Sequence, residues 1–208
     1  MKRENCTVCF RAKVGCICDL FIHIDNNIHV VVLQHPSEVK QTKGTLTLLA
    51  QSLRQCTVIV GEVFDDNEEL TYMLNRYQNH ISLLYPSEHA RELTPIIDQC
   101  TSSVSHSLNK KYCIILLDGT WKKAYKMYKL NSCLHAIPHL MLPENIQGNY
   151  RIRSTQKAHA LSSLEACVYA LGLLENNTLK YQPLLKSFNA FNNLQLSFKP
   201  AANIKGKE

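Results

Sequence analysis

The stretch "CIILLDGTWKKAYKM", residues 113–127, decides how this chain folds. Cys113 through Leu117 form an apolar run with no polar alternation, the pattern of a strand covered on both faces in a parallel sheet. The run stops at Asp118-Gly119-Thr120-Trp121, and a helix-like pattern beginning with two lysines follows. In open α/β sheets, ligands sit beyond the carboxyl ends of the strands, where loops lead into helices. A carboxylate, a glycine, a hydroxyl and the single tryptophan of the chain therefore stand where a binding site is expected.

The neighbouring sequence repeats the same alternation. Strands are expected over residues 28–36, 56–64, 80–87, 112–118 and 134–142. Helices are expected over 44–55, 67–78, 88–98 (interrupted by Pro95), 120–130, 161–176 and 178–198. In the 161–176 helix, Leu161, Leu164, Val168, Leu171 and Leu174 fall on one face. Strands alternating with helices, with near-continuous Val/Ile/Leu runs, define an α/β domain with a mostly parallel sheet and flanking helices. Gln34-His35-Pro36 ends the first strand as Asp118-Gly119-Thr120-Trp121 ends the later one, so two polar clusters share one edge of the sheet. No glycine-rich dinucleotide or P-loop motif occurs, which leaves those nucleotide folds without support.

Composition narrows the class further. The 208 residues suffice for one full core, and seven glycines with seven prolines argue against low complexity. No apolar run approaches the roughly 18 residues that cross a bilayer. The basic start, "MKRENCTVCF", has no apolar h-region, so a cytoplasmic protein with no membrane contact is expected. The formal charge of +6 permits a polyanionic partner without requiring one. No obligatory protein partner is evident.

Residues 1–20 have a different texture, dense in cysteine and basic residues and too poor in apolar volume to fold by burial. Cys6-x-x-Cys9 and Cys16-x-Cys18 place four thiols within thirteen positions. Two short-spaced pairs on tight turns can supply the tetrahedron of soft ligands that zinc prefers, and four thiolates leave no open position for catalysis. A structural zinc site is expected, with the metal's binding energy serving as folding energy. Arg11 and Lys13 flank the cluster and either face a phosphate backbone or form a solvated basic surface. Of the nine cysteines, the other five, at positions 56, 100, 113, 133 and 167, read mostly as core. The chain thus divides into a four-cysteine zinc-binding segment at 1–20, an α/β domain at 21–200 and a tail at 201–208.

Six motifs in order carry a resemblance. They are the cysteine leader, "LQHPSE" (33–38), "LLYPSEHARELTP" (83–95), "LDGTWKKA" (117–124), "YRIRS" (150–154) and "LSSLEACVYAL" (161–171). Nearly end to end, the chain resembles the DTW-domain family of tRNA-uridine aminocarboxypropyltransferases, named for the D-x-T-W motif. The resemblance implies S-adenosylmethionine as donor of a 3-amino-3-carboxypropyl group to N3 of a tRNA uridine, with 5′-methylthioadenosine released. It also implies a fold related to the SPOUT methyltransferases, with a knotted donor pocket. Ser163 stands where the family usually has Thr, which keeps a hydroxyl. At 43–47, "KGTLT" replaces an Asn-Thr-small-Arg pattern, and only Thr45 corresponds.

On that reading, Asp118 is the candidate base or donor-binding carboxylate, with Thr120 and Trp121 beside it as catalytic candidates. Gln34, His35, Pro36, Leu117, Asp118, Gly119, Ser163 and Glu165 are candidates for the donor pocket. Glu165 either reaches a ribose hydroxyl or projects into solvent. Arg151 and Arg153, on one face of an extended segment, are candidates for RNA phosphate or the donor carboxylate, and Lys122, Arg11 and Lys13 for RNA. Two other readings compete: a SPOUT-like RNA methyltransferase, and a zinc-containing RNA-binding protein without catalysis.

Overall fold

Parallel pairing of the two most apolar runs organises the molecule. The computed structural model describes residues 4–95, 111–144, 146 and 161–198. Strand β1 (His29–Gln34) lies between β2 (Cys56–Val60) and β5 (Cys113–Asp118), both parallel to it. Beyond β5 follow β3 (Ile81–Leu84), β6 (His139–Met141) and β4 (Arg91–Glu92), so the described residues form six parallel strands in the order β2-β1-β5-β3-β6-β4.

The period of two along each strand divides the core in two. Val30, Val32, Ile114 and Leu116 face one layer, where they meet α1 (Leu46–Ser52), α5 (Ser163–Leu174) and α6 (Thr178–Ser197). Val31, Leu33 and Ile115 face the other, where α2 (Glu68–Tyr77), α3 (Trp121–Leu130) and α4 (Ser132–His135) pack. The expected one-sided helix over 161–176 is buried more completely than its leucine stripe implies, because Cys167, Ala170 and Gly172 are also inside. Gly172 permits a close approach there: a Cβ would sit 3.2 Å from the Cα of Thr178, where α6 starts across the helix junction, and would push the two helices slightly apart. The amino-terminal segment joins the first layer, with Cys9 and Ile17 buried in it and the Leu20 carbonyl accepting a hydrogen bond from the Ser187 hydroxyl of α6.

Two expected elements need correction. The 88–98 segment is not helical where it is described. Arg91 and Glu92 form an edge strand opposite Leu140 and Met141, and the buried Leu93 extends the ladder through its N–H to the Met141 carbonyl at 2.9 Å. Pro95 biases Thr94 toward extended backbone, and a free sheet edge supplies partners that local helix propensity cannot. The 134–142 strand is shorter than its apolar pattern, since Leu134 and His135 complete the α4 turn. Asp65 fixes that turn from outside by accepting from Ser132 N, Ser132 Oγ and Cys133 N at 3.0–3.1 Å, and these donors hold its carboxyl down to about 2.

Asn131, fully buried between α3 and α4, stitches the loop after β2 to the helical layer. Its Oδ1 accepts from Phe64 N, and its Nδ2 donates to the carbonyls of Met127 and Glu62. Asn131→Ala leaves a buried N–H and two carbonyls without these partners. The expected loss is about 2–3 kcal/mol, read as a lower urea midpoint at unchanged slope.

Candidate functional site

Register builds the site from the sheet outward. Gln34 and Asp118 are opposed residues at the carboxyl ends of β1 and β5. Their side chains meet directly, with Gln34 Nε2 donating to Asp118 Oδ2 at 3.1 Å. From the first turn of α5, Ser163 Oγ donates to the other oxygen, Asp118 Oδ1, at 2.8 Å. One carboxylate is thereby oriented by groups 84 and 45 residues away in sequence. The backbone closes the same corner, since His35 N donates to the Asp118 carbonyl at 3.0 Å.

After Asp118 the chain must turn sharply into α3. A Cβ on Gly119 would lie 3.1 Å from Lys123 Cβ, close enough to press on the first turn of α3, and 3.7 Å from His35 Cβ, an ordinary contact. Thr120 is the N-cap of α3, and its hydroxyl accepts from Lys123 N at 3.4 Å. Trp121 follows as the first helical residue and stays 56% exposed, which sets it apart from a core tryptophan.

His35 is held on the flank of this corner. Its Nδ1 accepts from Ser37 N at 3.2 Å, so the neutral ring carries its proton on Nε2, which donates to Glu62 Oε1 at 3.0 Å. Glu62 also pairs with Lys126 of α3 at 2.9 Å, and its partners Lys126 and His35 hold its carboxyl below the usual range. Glu38, nearly buried, pairs with Lys123 at 2.6 Å. These two ion pairs clamp the loops after β1 and β2 onto α3.

A cavity of about 370 Å³ opens beside the Asp118 corner, at the carboxyl ends of β3, β5 and β6. Its floor is apolar, with Leu84, Leu116, Leu140 and Leu142, and its polar groups are Ser162, Ser163 and Glu144, with Trp121 also on the wall. Of the residues expected in the donor pocket, Leu117, Gly119 and Ser163 line this cavity. Gln34, His35, Pro36 and Asp118 are not among its lining residues; Asp118 reaches it through its hydrogen bond from Ser163, and Gln34 through Asp118. Glu165 does not project into solvent: it is 1% exposed and closes a capping box with Ser162, accepting from Ser162 N and Oγ at 2.9 Å each. Tyr85, Pro86 and Met141 are also on the wall. Sequence reasoning missed them because apolar or aromatic residues at strand ends carry the same signal as core. Arg151 and Arg153 lie outside the described residues.

The four amino-terminal cysteines converge, with every pair of sulfurs within 4.8 Å. Cys6 and Cys18 are 3.6 Å apart, and Cys9 and Cys16 are 3.8 Å apart. A tetrahedron with metal–sulfur bonds of about 2.3 Å has edges of about 3.8 Å, so the donor set fits one metal ion of zinc's size. The turn is built for this closure: Cys6 N donates to the Arg11 carbonyl at 2.7 Å, and Val8 N points at Cys6 Sγ at 3.5 Å. Phe10, directly after the second cysteine, takes a left-handed backbone at φ 57° to bring the chain around. Lys13 pairs with Glu4 on the surface at 2.7 Å. The Arg11 guanidinium, read from sequence as either phosphate-facing or part of a solvated basic surface, donates to the carbonyls of Thr42 and Gly44 and lies 5.1 Å from the Phe191 ring centre.

A parallel α/β sheet with a carboxylate corner and a cavity at its carboxyl edge, joined to a turn whose four cysteines converge, defines the class. Residues 3–196 match the DTW domain model, and the chain belongs to the DTW-domain family. It is 30% identical over 201 residues to tRNA-uridine aminocarboxypropyltransferase 2 of Macaca fascicularis, and 29% over 199 residues to the Mus musculus protein of the same name. The Drosophila melanogaster protein of that name is 30% identical over 202 residues. These alignments cover 94% of this chain, 64% of the macaque and mouse proteins and 76% of the fly protein. No solved structure matches the chain.

Proposed function

We propose that this chain transfers the 3-amino-3-carboxypropyl group of S-adenosylmethionine to N3 of a tRNA uridine, with release of 5′-methylthioadenosine. The observation that carries the reading is the Asp118 carboxylate, fixed by Gln34 and Ser163 beside a cavity with Trp121 on its wall. The relatives named as tRNA-uridine aminocarboxypropyltransferases support it over nearly the whole of this chain.

The cavity suits the donor. Its volume lies within the roughly 300–1,000 Å³ of small-molecule sites, with an apolar floor and few convergent polar groups. Bound there, S-adenosylmethionine supplies an electrophilic γ-carbon next to a sulfonium. In the overall reaction a bond forms between uridine N3 and that carbon, the carbon–sulfur bond breaks, and the imide proton leaves. The chain's own residues then have separate tasks. Leu84, Leu140 and Leu142 exclude water from the apolar part of the donor. Trp121 offers a ring face for a planar base at the pocket wall, and an aromatic face also attracts a cation. Asp118 offers a fixed negative charge, either to take the imide proton or to hold the donor's ammonium. Thr120 and the pair Glu62–His35 keep the two strand-end turns in place, so positioning dominates.

Two finer features belong to the same reading. The four cysteines hold structural zinc, supported by the fit of the sulfur separations to a tetrahedron. A SPOUT-like knotted path runs past the donor pocket, supported by the late insertion of β5 between β1 and β3 and the return of α5 to Asp118.

The deciding experiment incubates the purified chain with S-adenosylmethionine and total tRNA and identifies the small-molecule product. 5′-Methylthioadenosine is expected. S-Adenosylhomocysteine would show methyl transfer instead, and no turnover would leave an RNA-binding protein.

A further inference from the structure

α3 does more than position Trp121. Its ten residues, Trp121–Leu130, contain four lysines, three aromatic rings and no carboxylate. At 100° per residue, Trp121, Tyr125, Lys129 and Lys122 fall within an arc of about 100° on one side. That side is open: Trp121 is 56% and Tyr125 54% exposed, and both lysines are exposed. The opposite side buries Ala124 and Met127.

The lysines divide by face. Lys123 and Lys126, off the aromatic arc, are paired with Glu38 and Glu62. Lys122 and Lys129, on the arc, have no carboxylate partner among the described residues. Lys129 lies 5.5 Å from the Tyr125 ring centre and 5.8 Å from that of Tyr128, so it remains beside the rings. Exposed rings interleaved with unneutralised cations match unpaired RNA, whose bases stack on aromatic faces while its phosphates need positive charge. A four-residue step along a helix advances about 6 Å, a spacing that adjacent splayed bases can bridge. The row begins at the cavity wall with Trp121 and leads away from it.

We propose that α3 is a stacking track for the unpaired nucleotides flanking the reacting uridine. Tyr125 stacks on the neighbouring base, and Lys122 and Lys129 meet its phosphates. The partner is therefore single-stranded RNA of at least two consecutive unpaired nucleotides, such as a loop. The inference rests on the proposed RNA substrate, but it is tested by binding without turnover.

Trp121, as the only tryptophan, serves as a fluorescent reporter at the head of the track. The probe is an oligouridylate of about ten nucleotides, within the usual site sizes for single strands, titrated into the full chain at several salt concentrations. Tyr125→Ala is expected to weaken binding about tenfold, and Tyr125→Phe to restore it, because stacking needs the ring and not the hydroxyl. Lys122→Ala and Lys129→Ala should each reduce the log–log salt slope by about 0.7. Duplex RNA should bind more weakly and be insensitive to Tyr125→Ala. No quenching by oligouridylate at low salt, or wild-type affinity in Tyr125→Ala, overturns the track. If tRNA yields no 5′-methylthioadenosine while Tyr125→Ala still weakens oligouridylate binding, the transferase reading fails and the track stands. If product forms and Tyr125→Ala binds normally, the reverse holds.

Discussion

Asp118→Asn is expected to lower kcat/KM about 100-fold or more while leaving the urea midpoint close to wild type. The rate loss is the usual scale for a positioned acid–base group or an equivalent charge at the reacting atoms. The fold survives because asparagine is nearly isosteric and the local bonds can be kept. Ser163 Oγ can still donate to the remaining oxygen, and Gln34 can reverse its amide to accept from the new NH₂ where it now donates to Asp118 Oδ2. The substitution therefore removes charge and little else. How the loss divides identifies the role. A fall in kcat at unchanged KM for S-adenosylmethionine, relieved as pH rises and the uridine imide ionises unaided, marks Asp118 as the base. A rise in that KM with kcat largely kept marks it as the ammonium ligand. An unchanged kcat/KM removes Asp118 from the catalytic machinery.

That experiment addresses a residue the sequence already singles out, and the physical reason it is legible is general. A carboxylate directly after five apolar residues has no place in a core, so its position at a strand end signals use. The β1 and β5 runs are legible for a related reason: strands covered on both faces carry no alternation to confuse with a helix. What stays hidden depends on pairing. The contact of Gln34 with Asp118 follows from strand register, which brings together residues 84 positions apart. Glu62 holds His35 from an irregular loop after β2, and no periodicity marks such a residue. Arg11 reads as surface because basic residues usually are, yet its guanidinium satisfies two loop carbonyls. The β4 edge strand reads as helix because its two residues have no strand pattern of their own and are held by β6.

Loss of the metal is expected to act on this same inward-facing architecture. The purified chain should contain about one zinc, and Cys6→Ser combined with Cys9→Ser should abolish it. Iron in that ratio, or no metal in a folded chain, would overturn the zinc assignment. Sulfurs separated by 3.6 and 3.8 Å across the set leave space for one ion, and two of four ligands cannot complete a tetrahedron. Without the ion the Phe10 backbone at φ 57°, a region that a bulky residue disfavours, is left to the turn's own hydrogen bonds, Phe10 N to the Cys6 carbonyl at 3.0 Å and Cys6 N to the Arg11 carbonyl at 2.7 Å. Release of the turn would withdraw Arg11 from the Thr42 and Gly44 carbonyls and uncover Ile17 and Cys9, which belong to the core against α5 and α6. The expected loss of stability is about 4 kcal/mol or more, the range in which removal of a structural metal falls. Limited proteolysis provides the local readout, with new cleavage inside the first 20 residues before the sheet domain is cut. If the serine variant loses zinc but keeps both its urea midpoint and its protease resistance, packing alone orders the segment and the metal is dispensable to the fold.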